Sequence, residues 1–364
     1  LTLLRLGPVG VLRAGFPPVE ELTIERVTFP SEGQLRVRLV NGGPEPVTIA
    51  QVLVDDAAWT HAIDGERTVG RLGRRNISIP YPWVVGEPVS VKLVTSTGLT
   101  FEHVVDVATQ TPRPDRRYLS TFALLGIYVG VIPVLLGLLW LPFIRSIPRS
   151  WVDFFLALTV GLLVFLGVDA LIEAIETAAG VARAFQGTGL VVIGVVGTPL
   201  AIHVLGHLRA RERPDSALAV AALIALAIGI HNLGEGLAIG ASFASGAISL
   251  GTVLVLGFLI HNTTEGLGIV APLAEENPSL KQLAALGAIA GVPTVFGAWI
   301  GGFYYSPVWT TLFLAIGAGA VAQVVYVIGR RLLRPGARGI SPLTASGLLA
   351  GLLVMYVTGL LVAA

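Results

Sequence analysis

Apolar and polar positions alternate in one way over the first third of the chain and in another over the rest. Up to about residue 117 the apolar residues come at every second position in short runs, as in Gln34-Leu35-Arg36-Val37-Arg38-Leu39 and Val89-Ser90-Val91-Lys92-Leu93-Val94. Residues two apart lie on the same side of a strand, so these runs predict half-buried strands. Similar runs fill 22–27 and 47–54, and turn-forming clusters separate them at 30–33, 41–44 and 96–98. About seven short strands over roughly 100 residues predict a small β-sandwich. Thr111-Pro112-Arg113-Pro114-Asp115 follows as a stiff linker.

From residue 118 the alternation gives way to long apolar stretches at about 119–143, 152–177, 188–208, 216–244, 249–273, 281–303, 308–330 and 341–362. Each is near the roughly 20 residues that cross a hydrocarbon core. The expected architecture is a polytopic α-helical membrane protein with eight transmembrane helices, preceded by an all-β sandwich-like domain. The division falls at 1–117 and 118–364. The opening run Leu1 to Gly15 is too short and too broken to span, and reads as a trimmed signal-peptide remnant or an ordered tail.

Composition agrees with lipid as the solvent. Mean hydropathy is +0.79 and only 13% of residues are charged, about half the share of a soluble protein. A net charge of +1 offers no footprint for nucleic acid. Cysteine is absent, which excludes disulfides, thiolate metal sites and thiol chemistry. Any metal site must be built from His, carboxylate or amide groups.

Basic residues in the loops predict sidedness. Arg145 and Arg149, then Arg209, Arg211 and Arg213, then Lys281, then Arg330, Arg331, Arg334 and Arg338 occupy alternate loops, while the others hold little but Arg183. Positive charge stays on the cytoplasmic side, so the β domain and the C-terminus are expected outside a cell membrane. Arg113, Arg116 and Arg117 run against this rule, but a folded domain that is exported outranks them.

Ionisable side chains at mid-span are costly and functional by default. The fourth stretch contains Ile230-His231-Asn232-Leu233-Gly234-Glu235-Gly236-Leu237-Ala238-Ile239, and the fifth Ile260-His261-Asn262-Thr263-Thr264-Glu265-Gly266-Leu267-Gly268-Ile269. Residues four apart stack on one helix face, so His231 with Glu235 and His261 with Glu265 form two edges. Asn232 and Asn262 sit about 100° round and contribute at the flank. If the two helices face each other, two imidazoles and two carboxylates converge on a first shell suited to Zn²⁺, and the carboxylates offset the charge of a divalent cation. Gly236 and Gly266 permit close helix approach, and Gly234 permits a local break that frees carbonyls. A single such pair reads as readily as a structural hydrogen bond; the duplication argues for a metal.

The eight stretches and these two motifs resemble the ZIP family of divalent metal transporters. The likeness is specific over Ile230 to Gly236 and Ile260 to Gly266 and topological over the rest of 118–364. It implies a three-plus-two-plus-three helix arrangement, metal uptake into the cytoplasm, and a homodimer. It also implies primary ligation by His231, Glu235, His261 and Glu265, with the glutamates shared with a second position completed by Asn232 and Asn262. Many members carry a carboxylate where Asn262 stands, and some an acid in the sixth span, where this chain reads Gly291-Val292-Pro293-Thr294-Val295-Phe296-Gly297. One metal at a time is therefore the expectation. A His-rich loop between the third and fourth spans is missing as well.

Other polar residues are weaker candidates. Asp169 and Glu173, with Glu176, lie toward the outer end of the second span and are read as a cation entrance; His203 and His207 on the third are read as an exit, against plain interfacial residues in both cases. His61 and His103 lack partners at ligand spacing. Pro133, Pro199 and Pro293 are expected to kink their helices. The leading function is a carrier for Zn²⁺, with Fe²⁺, Mn²⁺ and Cd²⁺ poorly discriminated by ligand type. The alternatives are an intramembrane zinc hydrolase and a metal-gated receptor. No P-loop is present, so a gradient or a coupled ion must supply the energy.

Overall fold

The computed structural model describes residues 19–209, 216–245, 248–333 and 341–363. The opening apolar run and the basic residues at 211, 213, 334 and 338 lie outside them.

Among the described residues of the N-terminal domain there are nine strands, where about seven were expected: β1 (Leu22–Ser31), β2 (Gln34–Asn41), β3 (Val47–Val54), β4 (Ala57–Ala58), β5 (Ala62–Ile63), β6 (Thr68–Val69), β7 (Arg74–Ile79), β8 (Val89–Thr95) and β9 (Thr100–Val105). The extra ones are two-residue strands, too short to show alternation. All pairings are antiparallel. One sheet runs β1-β2-β7-β5 and the other β4-β3-β8-β9, with β6 also on β3. Leu35, Val37 and Leu39 face Val52, Val54, Val91 and Leu93 in one buried apolar cluster. Two bulges shift the alternation. In β3 the inward set passes from Val47 and Ile49 to Val52 and Val54 across a register shift between Ile49 and Gln51. In β1 a shift between Ile24 and Arg26 leaves Val27 and Phe29 inward, and turns Glu25 and Arg26 away from the core.

His103, opposite Val91 on β9, is held below the usual histidine range by burial, with the charge of Asp106 opposing the shift in part. The folded domain favours the neutral ring, so its stability is full above about pH 6.5 and falls as the pH drops below that value. Thermal melts of the full chain at about pH 7.5 and about pH 5 should show that loss, and His103→Gln should reduce it. An unchanged acid limb in the variant would assign the loss to other groups.

Among the described residues eight helices are long and apolar enough to cross a membrane. They are α1 (Arg116–Ser146), α2 (Arg149–Ala179), α3 (Gly187–Arg209), α4 (Ala217–Ser245), α5 (Ile248–Val270), α6 (Leu280–Tyr304), α7 (Pro307–Leu332) and α8 (Pro342–Ala363). Asp115 caps α1 by accepting from the Tyr118 N–H at 2.8 Å, and Ser279 with Gln282 forms a capping box on α6. Exposed Leu, Ile, Val and aromatic side chains cover the lateral surface, among them Trp140, Trp151, Tyr304 and Trp309 near helix ends. That is the surface of a multi-pass membrane protein, with aromatic residues at interfacial depth. By burial α4 is the most enclosed helix and α3 the least.

Close glycine contacts sort the helices into two groups. A Cβ at Gly236, Gly297 or Gly301 would land on a carbonyl oxygen across the α4–α6 contact, and one at Gly137 or Gly266 across the α1–α5 contact. Gly161, Gly347 and Gly351 join α2 to α8 in the same way, and Gly194 joins α3 to α7. Between α1–α4–α5–α6 and α2–α3–α7–α8 an added Cβ would meet side chains instead, Thr159 from Gly268 at 2.7 Å and Leu314 from Gly234 at 3.2 Å, and the backbone His231 Cα from Gly317 at 3.4 Å.

The β domain rests on the ends of α2, α3 and α6. The Arg26 guanidinium donates to Phe303 O at 3.2 Å and Gly302 O at 3.4 Å, satisfying carbonyls that a helix C-terminus leaves without partners. Burial lowers its pKa, the nearby Arg38 adds to that, and Tyr305 opposes it. Glu21 accepts the backbone N–H of Arg183 at 3.0 Å, and the Arg74 guanidinium lies 5.4 Å over the Phe185 ring. These contacts fall on the loops poor in basic residues. At the opposite face Arg145 bonds Glu276 O and Asn277, and Arg149 pairs with Glu275.

Candidate metal site

α4 and α5 are apolar on all sides, so propensity alone does not orient them; their polar residues do. Apolar side chains are as comfortable in lipid as in the bundle, whereas His, Asn and Glu must turn inward to find partners. His231, Asn232, Glu235, His261, Asn262 and Glu265 are all buried. Nε2 of His231 lies 3.2 Å from Glu235 Oε1, and Nε2 of His261 lies 2.5 Å from the same oxygen. One ligand atom each from His231, His261 and Glu265 falls within 4.8 Å of the others, the one group of its kind among the described residues. The ligands of a tetrahedral Zn²⁺ stand about 3.4 Å apart, given bonds of about 2.0–2.1 Å, so small side-chain rotations close the set on an ion.

The two motifs are packed alike but bonded differently. Asn232 Nδ2 donates to Ala290 O on α6 at 3.1 Å, and Asn262 Nδ2 to Val129 O on α1 at 3.0 Å. Gly236 abuts Thr294 O on α6, and Gly266 abuts Val134 O on α1. Each motif thus leans on its own partner helix through the same two residues. The carboxylates are not equivalent. Glu235 is approached by both imidazoles, and its Oε2 accepts from Asn262 Nδ2 at 3.0 Å. Neither oxygen of Glu265 has a hydrogen-bond partner, and Asn232 Oδ1, Asn262 Oδ1 and Thr294 Oγ1 are also buried without one. Two equal halves were expected. The two imidazoles and the second amide hydrogen of Asn262 all lie against one carboxylate, that of Glu235.

A set of buried, unpartnered oxygens beside two imidazoles is what a desolvated divalent cation needs. The donor chemistry therefore fits a metal ion, held between α4 and α5.

One sequence expectation comes out differently: α4 runs unbroken through Gly234. The carbonyls that the motifs engage lie instead in α1 and α6, at Val129 and Ala290. Asp169 on α2 is exposed and Glu173 half-buried; Glu173 is within electrostatic reach of Asp169, His231 and Glu235, so it adjoins the cluster, while Asp169 stands farther out. His203 is exposed on α3, and the side chain of His207 lies outside the described residues. His61 keeps its Nδ1 on Trp59 O at 3.2 Å and is not grouped with other ligands.

Sequence reasoning missed Thr294, whose only signal is a hydroxyl in an apolar stretch, and the short π-helical segment Ile127–Val131 within α1. It also missed the seat of Arg26. No family model matches the chain, and no curated protein matches it.

Proposed function

We propose that this chain is a ZIP-like carrier that moves divalent transition-metal ions, Zn²⁺ first, across a membrane into the cytoplasm through the site shared by α4 and α5. The observation that carries the proposal is the buried His231, His261 and Glu265 cluster, set in two similarly packed halves, with both Glu265 oxygens unpartnered. Paired motifs at mid-depth on neighbouring helices fit the plan of secondary transporters. Imidazole and carboxylate suit Zn²⁺ and related ions, and two carboxylates balance its charge. The site side chains are at most 7% exposed, which leaves room for an ion but not for the substrate of a hydrolase. Glu173 stands between the cluster and Tyr305 at the end of α6, as the last carboxylate of an entry route. Transport exposes the site to each side in turn, with α1–α4–α5–α6 shifting against α2–α3–α7–α8 across a boundary where the glycines meet side chains rather than carbonyl oxygens. The basic loops set the inward direction and leave the β domain and C-terminus outside.

Purified protein in liposomes holding a trapped fluorescent chelator should admit Zn²⁺ saturably, and Glu265→Gln should reduce entry to the protein-free rate. Wild-type protein that admits no Zn²⁺ under imposed metal and pH gradients would overturn the carrier reading. Entry that survives Glu265→Gln would move the site elsewhere.

A further inference from the structure

The two carbonyls that hold the site asparagines both belong to helix turns that a proline interrupts. In α-helical register the N–H of residue 133 bonds the carbonyl of residue 129. Proline has no N–H, so residue 133 offers no donor to Val129 O in that register, nor to Tyr128 O in the i→i−5 register of the π segment Ile127–Val131, where the Ile132 N–H bonds Ile127 O. Asn262 Nδ2 reaches Val129 O across the α1–α5 contact. On α6 the carbonyl that Pro293 deprives is that of Ile289, and Asn232 Nδ2 bonds the next one, Ala290 O. The helices meet there backbone to backbone: a Cβ on Gly291 would come within 2.8 Å of Val131 Cα.

Both acceptors of Asn262 Nδ2 are oxygens, Val129 O and Glu235 Oε2, each at 3.0 Å. The reversed amide would set oxygen against oxygen, so the orientation is fixed and Oδ1 is left over. That oxygen is buried with no donor. The same reasoning holds for Asn232, where Ala290 O takes the amide and Oδ1 is left bare.

We infer that Pro133 is a positioning residue for the metal site: by withholding an N–H from Val129 O, it leaves that carbonyl to anchor the amide of Asn262, so that Oδ1 of Asn262 remains free for a cation. The inference rests on the metal reading of the site. It ties the affinity of α4 and α5 to α1, a helix that carries no ligand of its own. Groups that orient a ligand typically change metal affinity by about 10- to 100-fold when removed.

Pro133→Ala restores an N–H to α1, which competes for Val129 O and releases Asn262. The test is a double-mutant cycle of Pro133→Ala and Asn262→Ala in detergent-purified full-length protein, with Zn²⁺ affinity read by competition against a chromophoric chelator. The melting temperature of the metal-free protein is recorded beside it. Pro133→Ala should weaken Zn²⁺ about tenfold while leaving the melting temperature unchanged or higher, since an interior proline does not favour a helix. On the Asn262→Ala background the same change should alter affinity less than about twofold. Loss by the same factor in both backgrounds, or a fall in affinity and melting temperature together, would make Pro133 merely structural and overturn the inference while the metal site stands. Unchanged affinity in Pro133→Ala would overturn it too. Wild-type protein that binds no Zn²⁺, or binding that survives Glu265→Gln with His231→Ala, would remove the metal reading and this inference with it.

Discussion

Glu265→Gln is expected to abolish tight Zn²⁺ binding and, in the same protein, to raise the melting temperature measured without metal. Both effects follow from one observation: the Glu265 carboxylate is buried and neither oxygen is hydrogen-bonded. Burying a carboxylate without partners costs several kcal/mol, and glutamine keeps the shape without the charge. The expected gain is about 1–3 kcal/mol, against a loss of affinity on the order of 100-fold or more. Glu235→Ala should behave in the opposite way on stability. It strands both imidazoles and one amide hydrogen of Asn262, at about 3–5 kcal/mol. Chelator competition and thermal melts on the two variants check both halves. Equal destabilisation by the two substitutions would mean that the carboxylates carry equal roles.

Gly236→Ala should be among the most damaging single-methyl additions in the chain. The new Cβ lands on Thr294 O, a backbone atom that cannot swing aside, so α4 and α6 must separate along their length. Overpacking of this kind costs about 1–3 kcal/mol and sometimes more, and it draws Asn232 away from Ala290 O. Gly317→Ala is the matched control: its nearest heavy atom is His231 Cα at 3.4 Å, an ordinary contact. There alanine should be neutral, or stabilising by up to about 1 kcal/mol through helix propensity. Melting temperatures in detergent decide it. Similar values for the two variants would show that the α4–α6 contact yields more than its geometry implies.

Much of this architecture was legible because its signals are periodic. Alternating residues such as Leu35, Val37 and Leu39 mark a strand, and eight apolar stretches mark eight helices, whatever their neighbours are. The metal cluster was legible too, since His231 with Glu235 and His261 with Glu265 share helix faces by arithmetic alone. What could not be read were relations across sequence. Nothing local says that Glu235 rather than Glu265 collects the donors, because both the His261 imidazole and the Asn262 amide reach it from the other helix. The prolines at 133 and 293 were visible, but not that carbonyls four and three residues before them would be taken by asparagines 133 and 58 positions away. The bulge in β1 was hidden for a similar reason: a one-residue shift in pairing leaves almost no trace in a strand as apolar at Ile24 as at Val27.

The seat of Arg26 bears on how the chain is assembled. Its two acceptors lie 276 and 277 residues further along, so they have not been synthesised when the β domain is complete. An N-terminal domain generally folds first, as a unit, during synthesis. Until α6 is threaded and its end emerges, the Arg26 side chain stays in water; only then can it dock. The bulge at Ile24 and Arg26 therefore holds ready, through six rounds of helix insertion, a contact that closes only once the helices bearing the motifs are in place.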